Sequence, residues 1–338
     1  METKMHKINN SQNYSNGKFR NGNEWRQPSI LKNIGVMWEF LTGGDERVPG
    51  YKLPVIKADL KYFNENKKNN LSSTWIGHSS LLINIDGNRI ITDPVFEKSA
   101  SFFGPTRFNG DAPLDVDKIE NVDVVVISHN HYDHLNKYSV EKLNPKTKLF
   151  ITPLAVGAQL KSWGVPENKI TELDWRESYK VSEELTITLT PTQHFSGRSL
   201  TDRDETLWGS YVIQAPNHKI FFSGDSGYFE GFKEIGEKYG PFDITFLECG
   251  AYNENWHHIH MYPEETARAH KDLKGKLLHP IHWGTFNLSL HSWYEPMERL
   301  KTAAIKEGIE TATPPAGGTI VYGNKPYGFD WWNAGVKK

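Results

Sequence analysis

A mixed α/β fold is what this sequence predicts, and three observations predict it. From residue 74 onward short β-type runs alternate with helical patterns, and an Asp-Gly pair joins two of those runs. In addition, 17 Phe, 14 Tyr and 11 Trp among 338 residues supply large apolar side chains for a substantial core. In chain order, Thr74-Trp75-Ile76 and Leu81 to Ile85 open the series. Asp86-Gly87 then leads into Arg89 to Thr92, because this dipeptide tolerates the positive φ angles of a tight hairpin turn. Further strand candidates are Val122 to Ser128, Lys148 to Thr152, Leu185 to Leu189, Ser210 to Gln214, Lys219 to Phe222, Ile244 to Leu247 and Leu277 to Ile281. Leu154 to Trp163 and Pro263 to Leu273 carry apolar residues at helical spacing. No repeat, low-complexity segment or obvious linker divides the chain after residue 74.

The division expected is therefore an N-terminal extension (1–73), one patterned domain (74–325) and a C-terminal tail (326–338). Residues 1–29 are polar and Asn-rich and read as a flexible tail. Behind Pro28-Ser29 and before Gly43-Gly44, the residues Ile30, Leu31, Ile34, Met37, Trp38 and Leu41 form one face of an amphipathic helix. That face must bury itself on the core or on a lipid surface, and Lys32 is its only basic residue. On the lipid reading, deleting residues 1–45 spares hydrolysis of a soluble substrate and lowers activity on vesicles.

Composition narrows the function. Lys and Arg total 39 against 41 Asp and Glu, so there is no overall positive field for a phosphate backbone, and nucleic acid is not an expected partner. The single cysteine, Cys249, excludes an intramolecular disulfide and a multi-cysteine zinc knuckle. No secretory signal pattern is visible, and the longest apolar runs fall far short of a membrane span. A soluble cytoplasmic protein is expected, with peripheral membrane contact and a homodimer left open.

The central motif is His129-Asn130-His131-Tyr132-Asp133-His134, directly after an apolar strand. Such a His-x-His-x-Asp-His run arises by chance in roughly one chain in a thousand of this composition. Two imidazoles at i and i+2 in extended backbone point the same way and can share one ion, while Asp133 and His134 can address a second. Other ligand types also follow strands: His194, Asp225 and His282. Ligands at strand ends can converge on one rim of a sheet. The inventory is then His129, His131 and His194 for one ion, Asp133, His134 and His282 for the other, and Asp225 between them. With nitrogen and oxygen donors and no thiolate, two Zn²⁺ are the expected cofactors.

These segments resemble the metallo-β-lactamase superfamily over about residues 74–325. Thr74-Trp75-Ile76-Gly77-His78-Ser79, Thr92-Asp93-Pro94, the His129 to Leu135 run, Thr190-Pro191-Thr192-Gln193-His194, Gly224-Asp225-Ser226-Gly227-Tyr228 and Ile281-His282-Trp283-Gly284-Thr285-Phe286 together resemble its N-acylphosphatidylethanolamine-hydrolysing phospholipase D branch. The resemblance implies an αβ/βα four-layer sandwich with a two-metal site on one edge. It also implies that Asp225 bridges the ions and that His260 is the active-site histidine. Asp133 and His260 are then the expected catalytic residues, Tyr132 and His260 the expected substrate contacts, and His78 and Asp93 the residues that orient ligand imidazoles from behind. The sequence departs from the branch at Ile259, where a polar residue is usual, and at Glu248-Cys249, where an apolar pair is usual. His131 stands where redox di-iron members carry glutamate, and Asp225 where many true β-lactamases carry cysteine.

The implied reaction is zinc-dependent phosphodiester hydrolysis of phospholipase D type, releasing N-acylethanolamine and phosphatidic acid through a hydroxide bridging the metals. Phospholipids or small phosphodiesters are the expected substrates. The alternatives are a lactonase or other small-ester hydrolase and, from a different class, a metal-stabilised binding protein.

Overall fold

The computed structural model describes residues 2–22, 35–36, 38–40, 42–43, 46–101, 104–325, 328 and 330–333. A short ribbon of β1 (Tyr14–Ser15) and β2 (Lys18–Phe19) precedes two seven-stranded sheets. The first sheet takes β3 (Leu71–Gly77), β4 (Ser80–Ile85), β5 (Asn88–Thr92), β6 (Val122–Val126), β7 (Thr147–Pro153) and β8 (Ile170–Leu173). The second takes β9 (Ser178–Ser182), β10 (Leu185–Thr190), β11 (Ser210–Gln214), β12 (Lys219–Phe222), β13 (Phe242–Glu248), β14 (Gly275–Ile281) and β15 (Glu310–Thr311). β16 (Thr319–Val321) then returns to pair with β3.

Both sheets follow one plan. Strands β16, β3, β4 and β5 pair antiparallel and β5 to β8 parallel, while β9 to β12 pair antiparallel and β12 to β15 parallel. Side chains alternate across each strand, so β4 sends Leu81, Ile83 and Ile85 inward to meet Ile187, Leu189, Tyr211 and Ile213 of the second sheet. Leu82, Ile91, Val125 and Phe150 face outward and are covered by Val140, Leu143 and Leu160 of the helices Lys137–Leu143 and Gly157–Ser162. The helices Gly231–Tyr239, Pro263–Asp272 and Glu295–Glu307 accompany the second sheet, completing the four layers expected.

The β4–β5 turn forms as the Asp-Gly pair predicts, with φ of 50° at Asp86 and 86° at Gly87. Three expectations need correction. The patterned domain begins at Leu71, three residues earlier than read. The opening residues do not form a loose tail: Glu2–Asn10 is helical, and Phe19 is buried in the main hydrophobic core, its N–H donating to Asp204 O at 2.7 Å. That anchor depends on a residue far along the chain, which no local pattern reveals. At the other end Trp332 is buried, and Trp331 stacks on Trp283 with ring centroids 5.1 Å apart, so this part of the expected C-terminal tail is packed. Most of the proposed amphipathic stripe (Ile30, Leu31, Ile34, Met37 and Leu41) lies outside the described residues; Trp38 is described and is 68% exposed.

Candidate metal centre

Topology decides where the ligand-type residues meet. Strands β3, β5 and β6 run in one direction within the first sheet, and β10, β12, β13 and β14 run in one direction within the second. Their C-terminal ends therefore lie along one edge of each sheet, and from those ends come His78, Asp93 and the His129–His134 loop, then His194, Asp225, Glu248 and His282. The backbone turns sharply there: φ is 56° at His78, 34° at Asp93 and 66° at His282, a conformation that non-glycine residues adopt at a cost.

The sequence-expected ligands come together in two groups. His129, His131, His194 and Asp225 form one, and Asp133, His134 and His282 form the other together with His78, which was not among the expected ligands; donor atoms in each lie within 4.8 Å of one another. Asp225 stands between them. Its Oδ2 is 3.1 Å from His134 Nε2, 3.0 Å from His282 Nε2, 3.7 Å from His194 Nε2 and 3.9 Å from His129 Nε2. Within the first group His131 Nδ1 lies 2.8 Å from His129 Nε2 and 3.4 Å from His194 Nε2.

Hydrogen bonds from behind settle which ring nitrogens face inward. His134 Nδ1–H donates to Asp93 Oδ2 at 2.7 Å, and His194 Nδ1–H donates to Ile259 O at 3.0 Å. Ser128 Oγ donates to Asp93 Oδ2 at 2.6 Å, which leaves that oxygen to accept from His129 Nδ1–H at 2.8 Å. Asp93 thus holds two imidazoles, one directly and one through Ser128, and three Nε2 lone pairs point at Asp225. His78 differs from the expectation: its Nε2 hydrogen-bonds Asp133 Oδ2 at 3.0 Å, so it orients a carboxylate rather than an imidazole, and its ring lies 4.0 Å from that of His282.

The donor set fits divalent cations. Asp225 Oδ1 and His282 Nδ1 are buried without a hydrogen-bond partner, a costly arrangement unless another group satisfies them. The electrostatics agree. Burial resists charge on Asp225, yet His134 and His282 hold its carboxyl well below the usual range. Burial likewise opposes a proton on His134, but Asp225 and Asp133 raise its affinity well above normal, so the centre favours positive charge at this point. Burial lowers His129 and His194 well below their ordinary range, His131 to about 4 and His78 to about 3, leaving these four as neutral donors. Neutral imidazole and ionised carboxylate are the forms that bind metal.

His260 joins this assembly from the loop before the helix Pro263–Asp272, its ring centroid 5.1 Å from those of both His194 and His282. Its Nδ1 is 2.6 Å from Glu248 Oε2. Tyr132 lies at the rim, 44% exposed, with Arg198 stacked 3.8 Å from its ring centroid. Arg198 Nη1 donates to Asn130 O at 2.7 Å and Leu135 O at 2.8 Å, clasping both ends of the histidine loop.

Sequence reasoning missed three contributors: Arg198, Glu248 and Asn21. Asn21 Nδ2 donates to His194 O at 2.8 Å, and its Oδ1 accepts from His194 N–H at 3.2 Å. Only Glu248 carried a signal, since a carboxylate that closes an apolar strand is the same pattern that marked Asp225.

Residues 88–283 match the family model described as Beta-lactamase superfamily domain. The chain belongs to the metallo-β-lactamase superfamily. It is 40% identical over 335 residues to the uncharacterized protein Rv0906 of Mycobacterium tuberculosis, covering 95% of this chain and 87% of that protein. It is 35% identical over 275 residues to N-acyl-phosphatidylethanolamine-hydrolyzing phospholipase D 1 of Caenorhabditis elegans, covering 76% of each. Among solved structures, Igni18, a metallo hydrolase from the archaeon Ignicoccus hospitalis, shares the fold with a TM-score of 0.57 at 22% identity, covering 76% of this chain and all of that one. The protein is a metal-dependent hydrolase of this superfamily with a clustered His/Asp metal site. Among the described residues no helix is long and apolar enough to cross a membrane.

Proposed function

We propose that the protein is a zinc-dependent phosphodiesterase of phospholipase D type, cleaving N-acylphosphatidylethanolamine-like lipids to an N-acylethanolamine and phosphatidic acid. The observation that carries the chemistry is the pair of ligand groups sharing Asp225 Oδ2, with His260 beside them. The substrate class rests on the 35% likeness to the nematode phospholipase D. His129, His131 and His194 would hold one ion and Asp133, His134 and His282 the other, with Asp225 standing between the two groups. Imidazole and carboxylate donors suit zinc, and the lone Cys249 is buried elsewhere, its Sγ 3.9 Å from Pro296 O.

Bound there, paired divalent ions supply an activated water and neutralise charge that grows on phosphoryl oxygens toward the transition state. The protein's own part is positional. Asp93, Ser128 and Ile259 O keep three ligand nitrogens aimed inward, while His260, which burial pushes down to about 3, stays neutral and able to accept a proton or hydrogen-bond the phosphate. Tyr132 at the rim is in place to meet a substrate approaching along the loop.

The test is to incubate metal-loaded protein with a chromogenic phosphodiester, a panel of lactones and a lipid extract, following products by mass spectrometry. Paired release of N-acylethanolamine and phosphatidic acid supports the reading. Turnover of lactones with inert diesters assigns the protein to carbonyl esters instead, and turnover of none assigns it to binding.

A further inference from the structure

Glu248 is a fully buried carboxylate outside the two ligand groups described above, although with His260 it forms a third cluster around Asp225 and His282. It closes β13, with its own N–H donating to Ser223 Oγ at 3.0 Å and its C=O accepting from Thr266 Oγ1 at 2.8 Å, so its backbone is fixed on both sides. Both carboxylate oxygens are used on one short piece of chain: Oε1 accepts from Met261 N–H, and Oε2 meets His260 Nδ1 at 2.6 Å. Donor atoms of His260, Glu248, Asp225 and His282 lie within 4.8 Å of one another, and the His260 ring centroid is 5.1 Å from that of His282.

We infer that Glu248 is a positioning residue that fixes His260 with the proton on Nδ1, so that the Nε2 lone pair faces the metal centre. Two arguments support the assignment. Met261 N–H cannot reverse its role, so it claims Oε1 as an acceptor and leaves Oε2, 2.6 Å from His260 Nδ1, to hold the ring. The same device already fixes His134 through Asp93 and His194 through Ile259 O, and Glu248 extends it to the histidine beside the ligands. The inference rests on the reading that His260 faces the reacting atoms, and it adds the group that makes the ring competent to accept a proton there.

Glu248→Gln tests it because the change keeps shape and reverses one role. The amide oxygen must take the Met261 N–H, which leaves the NH₂ group to face His260 Nδ1 and drives the ring proton to Nε2. In zinc-loaded protein labelled with ¹⁵N-histidine, the resonance lost in His260→Ala identifies this ring. The expected results are a native Nδ1–H pattern, an Nε2–H pattern in Glu248→Gln, two metal ions per chain in both, and a fall in kcat of about 10²- to 10⁴-fold with KM little changed. Nε2–H in the native protein, or an unchanged tautomer in Glu248→Gln, overturns the inference. The native tautomer is read without any substitution, so a variant that fails to fold does not protect the idea. Native turnover by His260→Ala instead overturns the catalytic reading of His260 while leaving the tautomer result standing.

Discussion

Replacing Asn21 with alanine tests whether the opening segment is part of the metal centre's support. Its side chain meets both backbone polar groups of His194, a ligand residue that is 1% exposed, and its Oδ1 also accepts from Trp208 Nε1 at 3.1 Å. Trp208 keeps a second acceptor in Thr192 O at 3.2 Å, so the loss falls on His194. Leaving a buried donor or acceptor unsatisfied costs about 1–3 kcal/mol, and two are affected, with water entering the vacated volume offsetting part. A net loss of about 2 kcal/mol is reasonable. For a chain of 338 residues the unfolding entropy is about 0.7 kcal/mol per kelvin, so the melting midpoint should fall by about 3 °C. Since His194 also loses its anchor, affinity for metal at the first group should fall by up to tenfold, the equivalent of about 1.4 kcal/mol. Calorimetry of metal-loaded and chelated protein, with a competitive chelator titration, reads both effects. A midpoint within about 1 °C of native together with native metal affinity would refute the reasoning.

Elemental analysis should find close to two divalent ions per chain, and full activity below about half an equivalent would exclude metal catalysis. Asp225→Asn and His131→Ala should each lose both metal and turnover, whereas His260→Ala should retain metal and lower kcat about 10²- to 10⁴-fold in steady-state assays. Gly227→Ala places a Cβ 2.0 Å from His258 O, so it should displace the loop that carries His260 and lower kcat more than metal content. Burial raises the Asp123 carboxyl, but hydrogen bonds from Arg89 (Nε to Oδ2, 3.0 Å) and Lys148 (Nζ to Oδ1, 2.7 Å) outweigh it and hold the carboxyl below its ordinary 3.8. A depressed folded pKa stabilises above the unfolded value and stops doing so as pH falls through the folded one. Asp123→Asn should therefore lower the melting midpoint at pH 7, by about 1–2 °C for roughly 1 kcal/mol, and by less near pH 3.

The strands of both sheets and the ligand inventory were legible because each is written locally. Apolar runs such as Val122–Val126 end in polar residues, and the His129–His134 run shows four ligand types in six positions. The strands β8, β9, β15 and β16 escaped because they are short, edge-placed or half polar, as in Ser178–Ser182, where no side chain is buried. Hydrophobic periodicity has nothing to report there. The helices Lys137–Leu143, Gly231–Tyr239 and Glu295–Glu307 were missed for the related reason that a few buried residues on a mostly polar helix suffice once a sheet lies beneath.

Support that arrives from a distance was visible only where a family resemblance pointed to it, as at Asp93, 41 positions from His134. Asn21 lies 173 positions from His194 and is an ordinary polar residue until the fold places it against that backbone. The structure argues against the expectation that residues 1–45 can be removed with soluble-substrate activity intact. The amphipathic stripe considered for lipid binding begins at Ile30, but a deletion through it also takes Phe19 from the main hydrophobic core and Asn21 from His194. Such a truncation mixes two effects, loss of any lipid contact and loosening of a metal ligand, and both reduce vesicle activity. A deletion confined to residues 23–45 separates them. It keeps Phe19 and Asn21, so metal affinity and turnover of a soluble diester should stay native, and a fall on vesicles alone would then belong to the stripe. Loss of metal in that shorter deletion would show instead that the support extends beyond Asn21.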